Sequence, residues 1–260
     1  MENDHRRPFD FIIFDLGSTL IYFTGDWQEV QQQARQVMLQ ALCRRGMILD
    51  EQTFLKDFVA RSDEYRAERE TEYFERPIDK LLQSVLADHG YPDVSLQQLS
   101  PILAEMYTVS QSRWQTEPDS VSTLEALQAA GYRLGLISNA AYEEDVYQLV
   151  DQAGLRSYFE FILVSAGVGY RKPHSKILQA ALDFWGAKAA QVLMVGDSLG
   201  ADVIGAQRLG MSAVWITRRT DPAASQGYTG KVVPDATIAT LSELPELLKS
   251  WKKTPDRQSG

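Results

Sequence analysis

The chain has 260 residues, 44% of them hydrophobic and 23% charged, enough to bury a sizeable core in one large α/β domain or two modest ones. Its formal net charge of −9 argues against nucleic acid as the main partner, because a phosphate backbone calls for a basic face; a small phosphorylated molecule remains compatible with it. The single cysteine, Cys43, excludes an intrachain disulfide and a CxxC metal site. With no apolar run long enough to cross a bilayer and no signal-like core near the N-terminus, a cytoplasmic protein is expected.

In chain order, Phe11-Ile12-Ile13-Phe14 predicts a buried strand that ends at Asp15, followed by the small-residue turn Leu16-Gly17-Ser18-Thr19-Leu20. Residues 24–115 then change character. Val30, Ala34, Val37, Met38, Ala41 and Leu42 recur at helical spacing, as do Leu81, Leu82, Val85 and Leu86, and again Leu99, Ile102, Leu103, Met106 and Tyr107. No convincing strand interrupts them. Unstructured connections seldom exceed about 12–15 residues, so this stretch is expected to be an all-helical cap domain inserted after the first strand. Cys43, on one of its helical stretches, is expected to be a buried structural thiol.

Strand-like and helix-like segments alternate beyond the insertion: strands over 132–137, 161–164, 191–195 and 213–216, a helix from about Pro173, and another from Ala201 to Leu209 ended by Gly210. This is the pattern of an α/β protein with a doubly wound, mainly parallel sheet. The expected division is a core formed by 1–23 and 116–251, a helical cap over 24–115 and a flexible polar tail over 252–260.

A carboxylate at the carboxyl end of a buried strand lies where open α/β sheets build their sites. Three later segments can join Asp15 there: Ile137-Ser138-Asn139, Arg171-Lys172-Pro173, and Val195-Gly196-Asp197-Ser198 with Asp202. Taken singly each has a bland explanation, as a turn, a helix cap or a solvated lysine. Their order and their placement after strands make coincidence improbable. Over about 9–210 the four segments resemble the haloacid dehalogenase-like hydrolase superfamily, most of whose members are Mg²⁺-dependent phosphatases.

The resemblance implies a set of roles. Asp15 is the nucleophile that forms an aspartyl-phosphate. Asp15, Asp197 and the backbone carbonyl of Gly17 hold Mg²⁺. Ser138, Asn139 and Lys172 bind the phosphoryl group of a small phosphorylated substrate, Ser138 and Lys172 also stabilising its transfer. Asp202 orients the metal's waters or Lys172. The sequence departs from the family at one position: the usual first segment is Asp-x-Asp-Gly-Thr, and Gly17 replaces the second aspartate, which family members use to protonate the leaving group. Such assistance is worth roughly 10²–10⁴-fold, so aryl and acyl phosphates should suffer less than sugar phosphates. A residue of the cap or a bound water is the candidate to stand in, Asp26 being close in sequence.

Two alternatives follow from Gly17: a catalytically impaired phosphate- or protein-binding member, and a 2-haloacid dehalogenase. The second fits poorly, since that branch carries an aromatic residue at this position and lacks the Gly-Asp-Ser arrangement. A sugar-kinase phosphate loop also fits poorly, because helices rather than a hairpin follow. His5, His89 and His174 show no metal-ligand spacing, and Tyr22, Phe23 and Trp27 are expected to pack between the domains. The motifs set no oligomeric state.

Overall fold

The pairing of the first strand decides the architecture. The computed structural model describes residues 7–220, 225 and 227–251. In it Phe11–Phe14 (β1) is buried at every position and pairs in parallel with Arg133–Ser138 (β4) on one side and Val192–Gly196 (β6) on the other. Ile162–Val164 (β5) continues the sheet beyond β4, and Ser212–Ile216 (β7) and Ala236–Ile238 (β8) continue it beyond β6. Among the described residues, six strands form one parallel sheet in the order β5-β4-β1-β6-β7-β8. The chain builds outward to one side of β1 and then crosses to the other, so the crevice between β1 and β6 is the switch point of a doubly wound fold.

Side chains alternate across the sheet with a period of two. Ile12, Phe14, Leu193 and Val195 pack with Ser120–Ala129 (α5) and Glu143–Gln152 (α6). On the opposite face Phe11, Ile13, Val192 and Met194 pack with Ser175–Trp185 (α8), which follows the short helix Ser165–Val168 (α7), and with Ile204–Arg208 (α9). Truncating one such core side chain to alanine costs about 2–5 kcal/mol, so the strand ends that carry the candidate site are firmly held. Among the described residues no helix is long and apolar enough to cross a membrane.

The helical insertion hangs from a two-stranded antiparallel ribbon, Ile21–Phe23 (β2) with Trp114–Thr116 (β3). Between them run Trp27–Arg44 (α1), Glu51–Glu72 (α2), Ile78–Asp88 (α3) and Leu96–Gln111 (α4). Their starts are signalled locally: Asp26 and Asp50 cap α1 and α2, and Ser95 with Gln98 forms a capping box at α4. Met38, Leu42, Phe54, Leu82, Leu86, Ile102 and Leu103 form a core belonging to the insertion, to which Tyr142 of the sheet domain also contributes.

The structure departs from the sequence pattern at several points. Trp114 and Gln115 lie in a strand rather than in the helical stretch, because Trp114 pairs with Phe23 and its ring packs edge-on against Phe23 and Trp27. Leu39 is buried while Val37 is only half-buried, and Cys43 is half-buried against the insertion's core. The helix expected from Pro173 begins at Ser175, capped by the His174 ring, which accepts from the Lys176 amide. Strand β8 and helix α6 were not anticipated. The polar tail, 252–260, lies outside the described residues.

Candidate active site

The register of β1 sets the site. Phe14 lies level with Leu136 of β4 and Val195 of β6, so the next residue, Asp15, emerges between Ile137-Ser138 and Gly196-Asp197. Its amide donates to the Val195 carbonyl at 2.9 Å. The carboxylates of Asp15, Asp197 and Asp202 offer oxygens that all lie within 4.8 Å of one another. Asp202 sits on the helical turn Leu199–Val203 that follows β6, where its Oδ2 accepts from the Ser198 amide at 3.0 Å.

Lys172 is the cation among these anions. Its side chain is 1% exposed. Its Nζ donates to Asp15 Oδ1 at 2.6 Å and to the Ile137 carbonyl at 2.9 Å, and it pairs with Asp202 Oδ1 at 2.7 Å. Two hydrogen bonds and one ion pair thus hold the ammonium group. Burial alone would pull Lys172 down, but Asp15 and Asp202 outweigh it and hold the group above an ordinary lysine. For Asp15, burial raises the carboxyl, Lys172 pulls it back and Asp202 adds to the rise, leaving it at about 6. Burial first, then the charges of Asp15 and Asp202, push Asp197 up to about 8.

Asn139 grips the backbone that carries Lys172. Its Nδ2 donates to the Lys172 carbonyl at 2.9 Å and its Oδ1 accepts from the Lys172 amide at 2.8 Å. Ser138, the last residue of β4, is largely buried beside Ile137. Asp15, Lys172, Asp197 and Asp202 thus meet beyond the carboxyl ends of β1 and β6, Asn139 joins them through Lys172, and Ser138 ends the neighbouring strand β4.

Gly196 was not anticipated as a functional position. A Cβ there would overlap the Asp202 carboxylate, so only glycine lets Asp202 close over the strand end and reach Lys172. The visible signal was a glycine immediately before the motif aspartate. Three carboxylates face a single ammonium in a largely buried site; with all three ionised two negative charges are left over, the repulsion that helps to raise Asp15 and Asp197. Hard oxygen donors with uncompensated charge suit Mg²⁺ or a similar divalent cation.

A family model described as haloacid dehalogenase-like hydrolase matches residues 9–210, the span that carries every one of these side chains. The chain belongs to the haloacid dehalogenase-like hydrolase family. It is 26% identical over 243 residues to a glyceraldehyde 3-phosphate phosphatase of Pyrococcus furiosus, covering 94% of each chain. It is also 32% identical over 131 residues to a glyceraldehyde 3-phosphate phosphatase of Methanothermobacter thermautotrophicus, spanning 50% of this chain and 58% of that protein. Among solved structures, a 2-haloacid dehalogenase from Pseudomonas syringae pv. Tomato superposes with a TM-score of 0.65 at 27% identity, over 94% of this chain and all of that one.

Within this hydrolase fold, position 17 has an aromatic neighbour. A Cβ on Gly17 would meet the edge of the Trp114 indole at 3.4 Å, an ordinary contact distance. Trp114 comes from β3, the returning strand of the ribbon, so an aromatic ring borders the place where the family's second aspartate would project. Asp26 does not fill the gap. It is exposed, and its Oδ1 accepts from the amides of Gln28 and Glu29 at 2.7 and 3.1 Å, as the cap of α1.

Proposed function

We propose that this hydrolase is a Mg²⁺-dependent phosphatase that removes phosphate from a small phosphorylated molecule in the cytoplasm through an aspartyl-phosphate on Asp15. The carrying observation is the placement of Asp15: one oxygen held at 2.6 Å by a buried ammonium, with two further carboxylates within 4.8 Å. The similarity to a glyceraldehyde 3-phosphate phosphatase over 94% of the chain supports the substrate class.

In this reading Asp15 attacks phosphorus, a carboxylate–phosphorus bond forms and the ester P–O bond breaks. Water then attacks the acyl phosphate, releasing inorganic phosphate and restoring Asp15. Lys172 keeps Asp15 ionised and aimed, and it offsets charge that builds up on the transferring group. The Ser138 hydroxyl donates to a phosphoryl oxygen. Asn139 acts on the substrate through its grip on Lys172. Asp15, Asp197 and the Gly17 carbonyl would hold Mg²⁺, with Asp202 beside them; the bound ion supplies charge neutralisation between Asp15 and the phosphate anion. With glycine at 17 and Asp26 committed to a helix cap, the leaving oxygen lacks an evident proton donor, which favours aryl and acyl phosphates over sugar phosphates.

The test is Mg²⁺-dependent phosphate release from an aryl phosphate and a sugar phosphate, with Asp15→Asn as control. The expected result is aryl-phosphate turnover that disappears with chelator and in the variant, and a much slower sugar phosphate. Gly17 favours a second reading, a member that binds phosphate without turning it over. Phosphate binding with no release from either substrate would select that reading, and metal-independent halide release from a 2-haloacid would select the dehalogenase.

A further inference from the structure

Glu75 lies in the connection between α2 and α3, within the helical insertion, yet its side chain is 1% exposed. A carboxylate so buried needs partners. Tyr65 of α2 donates to its Oε1 at 2.6 Å. The Ser165 hydroxyl donates to its Oε2 at 2.6 Å, and Arg171 Nη1 approaches Oε2 to 3.5 Å. Burial, with the neighbouring Glu75, pushes Tyr65 up to about 12, so the phenol remains a donor at neutral pH. Tyr65 belongs to the insertion, whereas Ser165 and Arg171 belong to the sheet domain. One carboxylate therefore ties the two together.

Both ties on the sheet side lead to Lys172. Arg171 is its neighbour in the chain. Ser165 Oγ accepts from the Ala140 amide at 2.9 Å, and Ala140 follows Asn139, which grips the Lys172 backbone from both sides. The main chain adds a third route. Tyr73 adopts a left-handed conformation at φ 55, a cost of about 1–2 kcal/mol for a non-glycine residue, and the chain then runs antiparallel to the segment before Lys172. The Glu75 amide donates to the Gly169 carbonyl at 3.1 Å and the Arg171 amide to the Tyr73 carbonyl at 3.0 Å. The rings of Phe74 and Tyr170 meet across this step at 4.8 Å.

We propose that Glu75 is a positioning residue through which docking of the helical insertion sets the place of Lys172 between Asp15 and Asp202. Its consequence for turnover rests on the phosphatase reading; its consequence for the Lys172 segment does not. Glu75→Gln keeps the volume but removes the charge that answers Arg171 and the Ser165 hydroxyl. Ser165→Ala removes the acceptor of the Ala140 amide while leaving the insertion intact.

The experiment measures amide hydrogen exchange by NMR and steady-state kinetics on an aryl phosphate, using the full chain. In both variants the Lys172 and Arg171 amides should exchange about tenfold faster while those of β6 are unchanged. The kcat should fall roughly ten- to a hundredfold with little change in KM, as expected when a group near the reacting atoms shifts by up to an ångström. The double variant should be no worse than the more affected single one, since the two act along one path. Unchanged Lys172 exchange in both variants overturns the proposal, as does an equal acceleration at β6, which marks general destabilisation. A loosened Lys172 amide with unchanged kcat also overturns it. If the wild-type chain releases no phosphate, the phosphatase reading fails on that result alone, and the exchange data still decide whether Glu75 holds Lys172.

Discussion

Gly196→Ala tests the site with a single methyl group. The added Cβ would overlap the Asp202 carboxylate and stand 2.8 Å from the Asp202 Cβ, where ordinary carbon contacts begin at about 3.5 Å. Asp202 must therefore retreat by roughly 0.7 Å or more, its carboxylate furthest of all. Two contacts are lost: the 2.7 Å pairing with Lys172 and the 3.0 Å bond from the Ser198 amide. Breaking a buried ion pair outright costs about 3–5 kcal/mol. Lys172 keeps Asp15 and the Ile137 carbonyl, so about 2–4 kcal/mol is expected. At about 2–4 °C per kcal/mol for a chain of this size, the midpoint of thermal unfolding should fall by roughly 5–15 °C. A misplaced Lys172 should reduce phosphate release about a hundredfold. The decisive comparison adds Asp202→Gly, which removes the Asp202 Cβ together with the carboxylate. The three atoms the new methyl would overlap are then gone, so the double variant should match Asp202→Gly alone in stability and turnover. If the two substitutions instead add in full, or if Gly196→Ala behaves as wild type, the close approach of Asp202 is not what position 196 serves.

Gly17→Asp places a carboxyl beside the Trp114 indole with its Cβ at an ordinary contact distance of 3.4 Å. It should raise sugar-phosphate turnover by up to the roughly 10²–10⁴-fold that general acid catalysis supplies, with little change for an aryl phosphate; equal gains on both substrates would rule out proton donation. Asp145, half-buried at the start of α6 and accepting from Gln111 of α4 at 2.9 Å, is raised by burial from 3.8 to about 7. Its folded-state value lies above the unfolded one, so its contribution is intact below about pH 4 and is lost as pH rises towards 7. Asp145→Asn should thus leave chemical stability unchanged at pH 4 and raise it by about 1–3 kcal/mol at pH 8; a pH-independent difference refutes this. Asp26→Ala should cost about 1 kcal/mol in denaturant unfolding by removing the cap of α1 and leave the ratio of sugar- to aryl-phosphate turnover unaltered, whereas a selective loss on the sugar phosphate would make Asp26 the missing acid.

The sequence disclosed what depends on local pattern. Strands β1, β4, β6 and β7 are buried on both faces and read as apolar runs between polar loops, and the helices of the insertion carry apolar residues at helical spacing. The segments of Asp15, Ser138 and Asp197 were legible because each sits in the turn that ends a strand, where chain position and spatial position coincide; the Lys172 segment follows a short helix after β5. What escaped depends on partners distant in sequence. Glu75 follows a charged run that includes Glu68, Arg69 and Glu72, and no local pattern sets it apart, yet Ser165 and Arg171 enclose it. Trp114 lies beside Gly17 only because the ribbon brings the far end of the insertion back to its start. Strand β8 has three residues, one of them exposed, too few to establish a period. The His174 cap shortened α8 in a way that proline preference at a helix start did not foretell.

Lys172 links the legible part to the hidden part. Its ammonium donates to Asp15 and to the Ile137 carbonyl, at the ends of β1 and β4, and forms an ion pair with Asp202 on the turn after β6. An ammonium so held presents its charge to an incoming phosphate at a fixed point. This also explains why a lysine on a loop is anchored so heavily. The strand ends are held by the sheet, but the segment 169–173 is not part of it, and it gains the same precision from Asn139 on one side and from Glu75 with the Tyr73 carbonyl on the other. Weakening either anchor should therefore move Lys172 while leaving Asp15 in place, which separates the loss of a positioned charge from the loss of the nucleophile.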